Sequence, residues 1–161
     1  SLTGHLVFST LHTNDAPTAV TRLIDLGVKP FLVASAMRAV MAQRLVRKFC
    51  TKCSHGYEPS EGELTALGLR ASQISSANFQ TAEGCDSCRR TGFRGRMGIF
   101  EIFLINDEVQ RLINDGAPAN AVRVKARQLG MRTLREDGIR KVVAGLTSVT
   151  EVVTATMQDE S

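Results

Sequence analysis

The sequence has few aromatic residues: there is no tryptophan, one tyrosine and seven phenylalanines among 161 residues. Hydrophobic residues still make up 43% of the chain, which is enough to bury a core that is mainly aliphatic. No apolar run is long enough to cross a membrane, and no segment has the pattern of a secretory signal peptide. We therefore expect a soluble, globular intracellular protein.

A phosphate-binding loop is also missing. Such a loop has the form G-x-x-x-x-G-K-[S/T], and no Gly-Lys pair occurs anywhere in the chain. The chain begins Ser-Leu-Thr-Gly-His, without an initiator Met, and continues directly into an apolar segment. This start predicts a piece of a longer protein, although removal of a tag or leader would look the same. The formal net charge of +4 assumes neutral thiols and is therefore only a weak indication of acidic partners.

The four cysteines are few but regularly spaced. They form two C-x-x-C hooks, Cys50 with Cys53 and Cys85 with Cys88. Two such hooks, with no cysteine left over, can place four thiolates tetrahedrally around one Zn²⁺, and His55 is not needed as a ligand. Two disulfides, or an iron centre with the same sulfur geometry, are the alternatives. An intracellular setting disfavours disulfides, so the hooks predict a closed structural zinc site.

Hydrophobic periodicity and capping residues predict the secondary structure. Leu6-Val7-Phe8 predicts a short buried strand that ends in a polar loop, after which Asn14 or Asp15 caps a helix. Further helices are expected at residues 31–41, after Ser60, at 107–114, 118–129 and 133–144, and after Ser148; further strands are expected at 43–49, 79–81 and 99–105, the last packed on both faces and interrupted by Glu101. These elements predict a mixed α/β fold.

Four segments together resemble a known family, the bacterial ATPases of type II secretion and type IV pilus assembly. Residues 3–15 (Thr-Gly-His-Leu-Val-Phe-Ser-Thr-Leu-His-Thr-Asn-Asp) are similar to its histidine box. Residues 42–50 (Ala-Gln-Arg-Leu-Val-Arg-Lys-Phe-Cys) are similar to the stretch that enters its tetracysteine zinc module. Residues 92–101 and 130–138 are similar to segments that follow the cysteines. The resemblance covers almost the entire chain.

The resemblance implies the C-terminal part of a RecA-like P-loop ATPase core, with an inserted tetracysteine zinc module and a mostly helical C-terminal region. The implied boundaries are residues 1–49 for the remnant of the ATPase core, 50–90 for the zinc module and 91–161 for the remainder. The complete protein is then expected to be a homohexamer that uses ATP and Mg²⁺. It would lie in the cytoplasm, peripherally on the inner membrane, and act on a membrane platform protein. Walker A and Walker B would lie outside this chain, so the chain alone should not hydrolyse ATP.

The loop after the first predicted strand carries the candidate catalytic residue. Phosphoryl transfer depends mainly on positioning and charge stabilisation, and ligand-facing groups of parallel α/β sheets lie at strand ends. With the resemblance, this predicts that His12 senses the γ-phosphate or positions the attacking water. Thr10, Thr13 and Asn14 are near enough to share a hydrogen-bond network, and Arg44 is a further candidate for nucleotide binding. The alternative is that Asn14 is an ordinary helix cap and that Arg44 belongs to a solvated strand face.

A basic cluster beside the second hook suggests a second class of function. Arg89, Arg90, Arg94 and Arg96 lie within eight residues of one another. A basic turn next to a zinc knuckle can bind phosphate backbones, so a stand-alone zinc ribbon for nucleic acid or a protein partner is the alternative. Only Phe93 is available in the cluster for stacking on bases. We therefore expect no direct contact with nucleic acid.

Overall fold

The fold is described by a computed structural model that covers residues 4–13, 15–70, 72, 74 and 76–157. It is a mixed α/β chain, as expected. In chain order the elements are α1 (Ala16–Asp25), α2 (Pro30–Ala36), β1 (Ala39–Phe49), β2 (Ser54–Gly56), α3 (Glu61–Leu67), β3 (Gln80–Ala82), β4 (Phe93–Leu104), α4 (Asp107–Asn114), α5 (Ala119–Gln128), α6 (Leu134–Val143) and α7 (Val149–Thr156). Strand β1 pairs with β4, and β2 pairs antiparallel with β3.

The chain forms two compact units, each built from two segments. The first unit joins Ser1–Ala42 to Glu101–Thr133, and the second joins Gln43–Phe100 to Leu134–Ser161. Strands β1 and β4 therefore each contribute residues to both units. Within the part of the chain that the structure describes, no helix combines the length and the apolarity needed to span a bilayer.

The core of the first unit is mainly aliphatic and is built mostly from helices. Helix α1 begins where Asp15 accepts a hydrogen bond from the Thr18 backbone, and it ends before Gly27, whose φ of +89° is unfavourable for other residues. Asn106 caps α4 in the same way, by accepting from the Val109 backbone. The buried side chains of this core come from α1, α2, β4, α4 and α5 and the residues that flank them, and are Ala16, Val20, Val33, Ala34, Phe103, Ile105, Val109, Ile113, Val122, Ala126 and Met131.

The core of the second unit combines the loop between the cysteine hooks with the last two helices. Ser60 and Glu63 form a capping box at the start of α3, and Ser148 caps α7. The buried side chains are Leu64, Leu67, Phe79, Val142, Val149 and Val152, drawn from α3, the residue before β3, α6 and α7. The loop between the hooks therefore completes its apolar core with residues that lie far along the chain.

The predicted first strand is wrong. Leu6, Val7 and Phe8 are exposed by 75%, 60% and 88%, and residues 5–13 form neither helix nor strand. A strand satisfies its backbone groups by pairing with a neighbour, and the strands of the described residues pair only among themselves. The apolar run alone therefore does not make this segment a strand.

Two other elements differ from the expectation, α2 in its length and β4 in its burial. The helix predicted at residues 31–41 ends at Ala36, because Met37 adopts extended dihedral angles, and β1 then begins at Ala39. In β4 only one face is buried, and it carries Ile99, Glu101 and Phe103. This alternation is typical of a half-buried strand. Glu101 does not interrupt an apolar strand but lies on its buried face. The strand predicted at 43–49 and the last four helices agree with the structure within a few residues.

Candidate functional site

The structure brings the four cysteines together in the second unit. Their Sγ atoms all lie within 4.8 Å of one another. The Sγ atoms of Cys50 and Cys85 are 3.9 Å apart, those of Cys53 and Cys88 are 3.9 Å apart, and those of Cys85 and Cys88 are 3.8 Å apart. Four sulfurs at Zn–S distances of about 2.3 Å around a tetrahedral ion would be about 3.8 Å apart. The cluster therefore fits a single metal ion of that kind.

The disulfide alternative is wrong for this structure. All four cysteines are free thiols, and their sulfur separations are nearly twice the length of a disulfide bond of about 2.05 Å. A tetrahedral sulfur site suits iron as well as zinc, so the geometry defines the donor set and not the metal. His55 is half exposed, and its Nε2 atom is 3.9 Å from a Glu83 carboxylate. Among the described residues the candidate ligand group contains the four thiols without this histidine.

Backbone amides shape the second hook. The N–H groups of Cys85 and Gly92 point at the Cys88 sulfur, with N to Sγ distances of 3.1 and 3.3 Å. Gly92 has a φ of +76°, and a Cβ atom there would lie 2.9 Å from the Ala82 carbonyl oxygen, so the approach requires glycine. The Cys85 amide is the main reason why the pKa of Cys88 is lowered to about 6, whereas burial raises the pKa of Cys53 to about 12. The amides thus favour the thiolate that a metal ion needs at Cys88.

The backbone also joins the two hooks. The Cys50 amide donates to the Gly92 carbonyl at 2.9 Å, and the amides of Cys53 and Ser54 both donate to the Cys50 carbonyl. These hydrogen bonds close the first hook into a tight turn and attach it to the residue that approaches Cys88. The positions of the thiols are therefore built by local backbone geometry on both sides.

The structure describes four of the five predicted nucleotide-binding residues, Thr10, His12, Thr13 and Arg44. Thr10 and His12 are exposed, Thr13 is half-buried, and none of these three makes a side-chain hydrogen bond within the described residues. Asn14 lies outside the described residues. Arg44 is half-buried on β1 in the second unit, whereas the other three belong to the first unit. Their roles in nucleotide binding remain predictions.

A polar cluster at the start of α1 was not predicted. The Ala16 amide donates to Glu101 Oε1 at 2.8 Å, and Asp15 accepts from the Thr18 amide and forms an ion pair with Arg123. Burial raises the pKa of Asp15, but the hydrogen bonds from Thr18 and Arg123 outweigh it, so the pKa is lowered overall. The alternation Ile99, Glu101, Phe103 is the sequence signal that would place this carboxylate on the buried face of a strand.

Arg47 has a structural role within the second unit. Its guanidinium donates to Glu151 Oε1 at 2.7 and 3.0 Å, and its backbone amide donates to Oε2 at 2.8 Å. The same guanidinium lies 4.2 Å above the Phe93 ring, which stacks on Phe49 with ring centroids 5.3 Å apart. The hydrogen bond from Arg47 is the main cause of the lowered pKa of Glu151. Arg47 therefore ties the end of β1 to α7.

The basic cluster is partly engaged locally. Arg90 forms an ion pair with Asp86 at 2.8 Å, and the Arg94 guanidinium donates to the Ser87 hydroxyl at 3.0 Å. Arg89 and Arg90 have positive φ values of 55° and 62°, which carry the chain out of the second hook. Two of the four arginines thus contact the residues between Cys85 and Cys88, and Phe93, the one aromatic residue of the cluster, stacks on Phe49.

These features define an α/β protein with a four-cysteine cluster that could hold a metal ion. Residues 1–154 match the family described as "Type II/IV secretion system protein", and the chain belongs to this family. The resemblance stated from the sequence is therefore confirmed.

Named relatives give the range of proteins that the chain is similar to. It is 42% identical to "Type IV pilus assembly ATPase PilB" of Thermus thermophilus over 158 residues, which are 98% of this chain and 18% of that protein. It is 46% identical to "Type II secretion system protein HxcR" of Pseudomonas aeruginosa over 97% of this chain and 29% of that protein. With "Type II secretion system ATPase E" of Vibrio cholerae the identity is 42%, over 98% and 31%. The chain thus spans less than a third of the length of each of these three relatives.

Proposed function

We propose that these residues are the C-terminal portion of an ATPase that powers type II protein secretion or type IV pilus assembly. The observation that carries the proposal is the family match over residues 1–154, together with relatives named as ATPases of both machines. In this proposal the complete protein hydrolyses ATP, and Walker A and Walker B are supplied by residues outside this sequence. The isolated chain is then inactive as an ATPase.

The complete ATPase is proposed to be a RecA-like, ring-shaped homohexamer that binds ATP with Mg²⁺. His12 would sense the γ-phosphate or position the attacking water, and Thr10, Thr13, Asn14 and Arg44 would contact the nucleotide. The exposure of Thr10 and His12 supports this part of the proposal, because both side chains are accessible to a ligand. The division into residues 1–49, 50–90 and 91–161 remains a prediction.

The proposed metal is zinc, held by Cys50, Cys53, Cys85 and Cys88. When bound, the ion supplies no reaction chemistry but adds folding free energy to a loop whose own apolar core is small. Sulfur separations of 3.8–3.9 Å and the amides directed at Cys88 support a metal site with these four sulfur donors. The complete protein would work at the cytoplasmic face of the inner membrane and drive a membrane platform protein.

The experiment that tests the proposal uses the complete protein purified from its native gene. We expect ATP hydrolysis that depends on Mg²⁺, about one zinc per chain by elemental analysis, and a hexamer when ATP is bound. A deletion strain separates the two tasks, because it should lose either the secreted proteins or the pili and regain them with the intact gene. A complete protein without Mg²⁺-dependent ATP hydrolysis would contradict the proposal.

A further inference from the structure

The first turn of α1 has its donors satisfied by two carboxylates of the chain itself. The Ala16 amide donates to Glu101 Oε1 at 2.8 Å, across 85 positions of sequence, and the Thr18 amide donates to Asp15 Oδ1 at 2.8 Å. Pro17 lies between them and has no N–H group. The N-terminus of a helix ordinarily offers amides and a positive dipole to an anion. Here both carboxylates already occupy that position.

Glu101 is well suited to this contact. It is 4% exposed on the buried face of β4, between Ile99 at 0% and Phe103 at 1%. A buried carboxylate is costly unless it accepts hydrogen bonds, and a helix N-terminus is a favourable partner for its charge. The ion pair of Asp15 with Arg123 on α5 adds a second attachment at the same point. The start of α1 is therefore fixed to β4 and to α5.

The segment that precedes α1 has no regular secondary structure. Residues 5–13 form neither helix nor strand, and His12 is exposed three residues before Asp15. Because the amides of the first turn are occupied, a phosphate group cannot use α1 as its anion site. A nucleotide contact of this region must come from side chains of the preceding segment.

We propose that Glu101 is a positioning residue for His12. The carboxylate fixes the Ala16 amide, and so fixes the end of the segment that carries the imidazole, without touching the nucleotide. The inference rests on the proposed function of His12. It predicts that a side chain on β4, remote in sequence, controls turnover through the acceptor atom that it offers to α1.

The test is a double-mutant cycle in the complete ATPase. Glu101→Gln retains an amide oxygen for Ala16, and we expect its turnover to stay close to that of the native protein. Glu101→Leu removes the acceptor, and we expect kcat to fall by about tenfold or more, since misplaced groups lose rate. The change should have no further effect in a His12→Ala background. Val109→Ala, in the same core, controls for general destabilisation.

Amide hydrogen exchange of the same proteins supplies a readout that does not need activity. Glu101→Leu should speed exchange in a peptide covering residues 10–18 but not in one covering α4, whereas Glu101→Gln should leave both unchanged. Equal falls in kcat in the native and His12→Ala backgrounds would overturn the proposal, and so would unchanged exchange in residues 10–18. If His12→Ala alone retains full activity, His12 has no role in turnover to position, and the proposal is also overturned. A native protein without ATPase activity refutes the proposed function instead, and exchange then decides whether Glu101 fixes this segment.

Discussion

The four-cysteine cluster and the segment at residues 5–13 are built in opposite ways. The cluster gathers four side chains from two short hooks, and nearby backbone amides hold the thiols within 4.8 Å of one another. In the segment, the side chains of Thr10, His12 and Thr13 make no hydrogen bond among the described residues, and regular structure begins only after it, at Ala16. The cysteine cluster is organised by residues close to each hook, whereas the segment at residues 5–13 depends on contacts with other parts of the protein.

The difference shows what each kind of site needs in order to form. A metal site made from C-x-x-C hooks carries its geometry in the spacing of a few residues, and the ion supplies the long-range link. The start of α1, which follows the segment, is held instead by partners such as Glu101 and Arg123, which lie elsewhere in the chain. Substitutions in the two regions should therefore have different consequences.

The largest effect is expected from loss of one thiolate. Cys53→Ser leaves three sulfur ligands, and structural zinc contributes folding free energy on the order of 10 kcal/mol in small metal-dependent domains. We expect bound zinc to fall well below one per chain and residues 50–90 to become sensitive to protease. Elemental analysis and limited proteolysis measure both, with the neighbouring Ser54→Ala as control. Full metal content with unchanged cleavage would show that the metal site does not depend on the Cys53 thiolate.

A change in the exposed segment should affect rate rather than folding. His12→Ala in the complete protein should lower ATP turnover by roughly 100-fold, the size of effect typical of a group that positions or exchanges a proton. Zinc content and unfolding temperature should remain those of the native protein. His55→Ala is the matched control, because this histidine is half exposed and lies outside the cysteine cluster. Native turnover in the His12 variant would remove the segment from the mechanism.

A glycine in α6 tests whether packing also holds the cysteine region in place. A Cβ atom on Gly138 would lie 2.4 Å from Val152 Cγ1, and Val152 is fully buried. Gly138→Ala should therefore reduce the free energy of unfolding by about 1–3 kcal/mol through overpacking. Gly62→Ala in α3 is the control, since its nearest neighbour is the Ser60 hydroxyl at 4.0 Å. That change should stabilise the protein by up to about 1 kcal/mol. Denaturant unfolding distinguishes the two signs, and equal effects would contradict the packing argument.

The smallest effect is expected from the ion pair of Glu151 with Arg47. The hydrogen bond from Arg47 lowers the pKa of Glu151, so its contribution is present above the unfolded pKa of about 4.3 and is lost as pH falls through the lower folded value. Because Arg47 is half exposed, we expect Glu151→Gln to cost about 1 kcal/mol at neutral pH. The difference from the native protein should shrink toward zero at acid pH. Glu58→Gln, at an exposed position, is the control, and a pH-independent cost at Glu151 would argue against the ion pair.

The parts of the fold that follow from the sequence are those specified by neighbouring residues. The capping residues Ser60 and Ser148 predicted α3 and α7 because the hydrogen bonds that start a helix are local. The four cysteines could be recognised for the same reason. Leu6-Val7-Phe8 could not, because an apolar run becomes a strand only beside another strand.

The contacts of Glu101 and Arg123 could not be predicted from the sequence, because they depend on tertiary structure. A single glutamate in an apolar strand is consistent with an exposed edge, a bulge or a buried contact, and only the position of α1 decides among them. Asp15 was named from the sequence as a possible cap for α1, but its ion pair with α5 depends on how the helices pack. The same holds for Arg47, whose partner Glu151 lies 104 positions away.

The mixed origin of the second core limits how the cysteine region can be engineered. Leu64, Leu67 and Phe79 are covered by Val142, Val149 and Val152, which come from the two closing helices. Transplanting residues 50–90 into another scaffold would transfer the four thiols but only half of the buried apolar side chains of this core. A transferable form of the cysteine region therefore has to include α6 and α7, or has to replace them with other elements that cover the same apolar side chains.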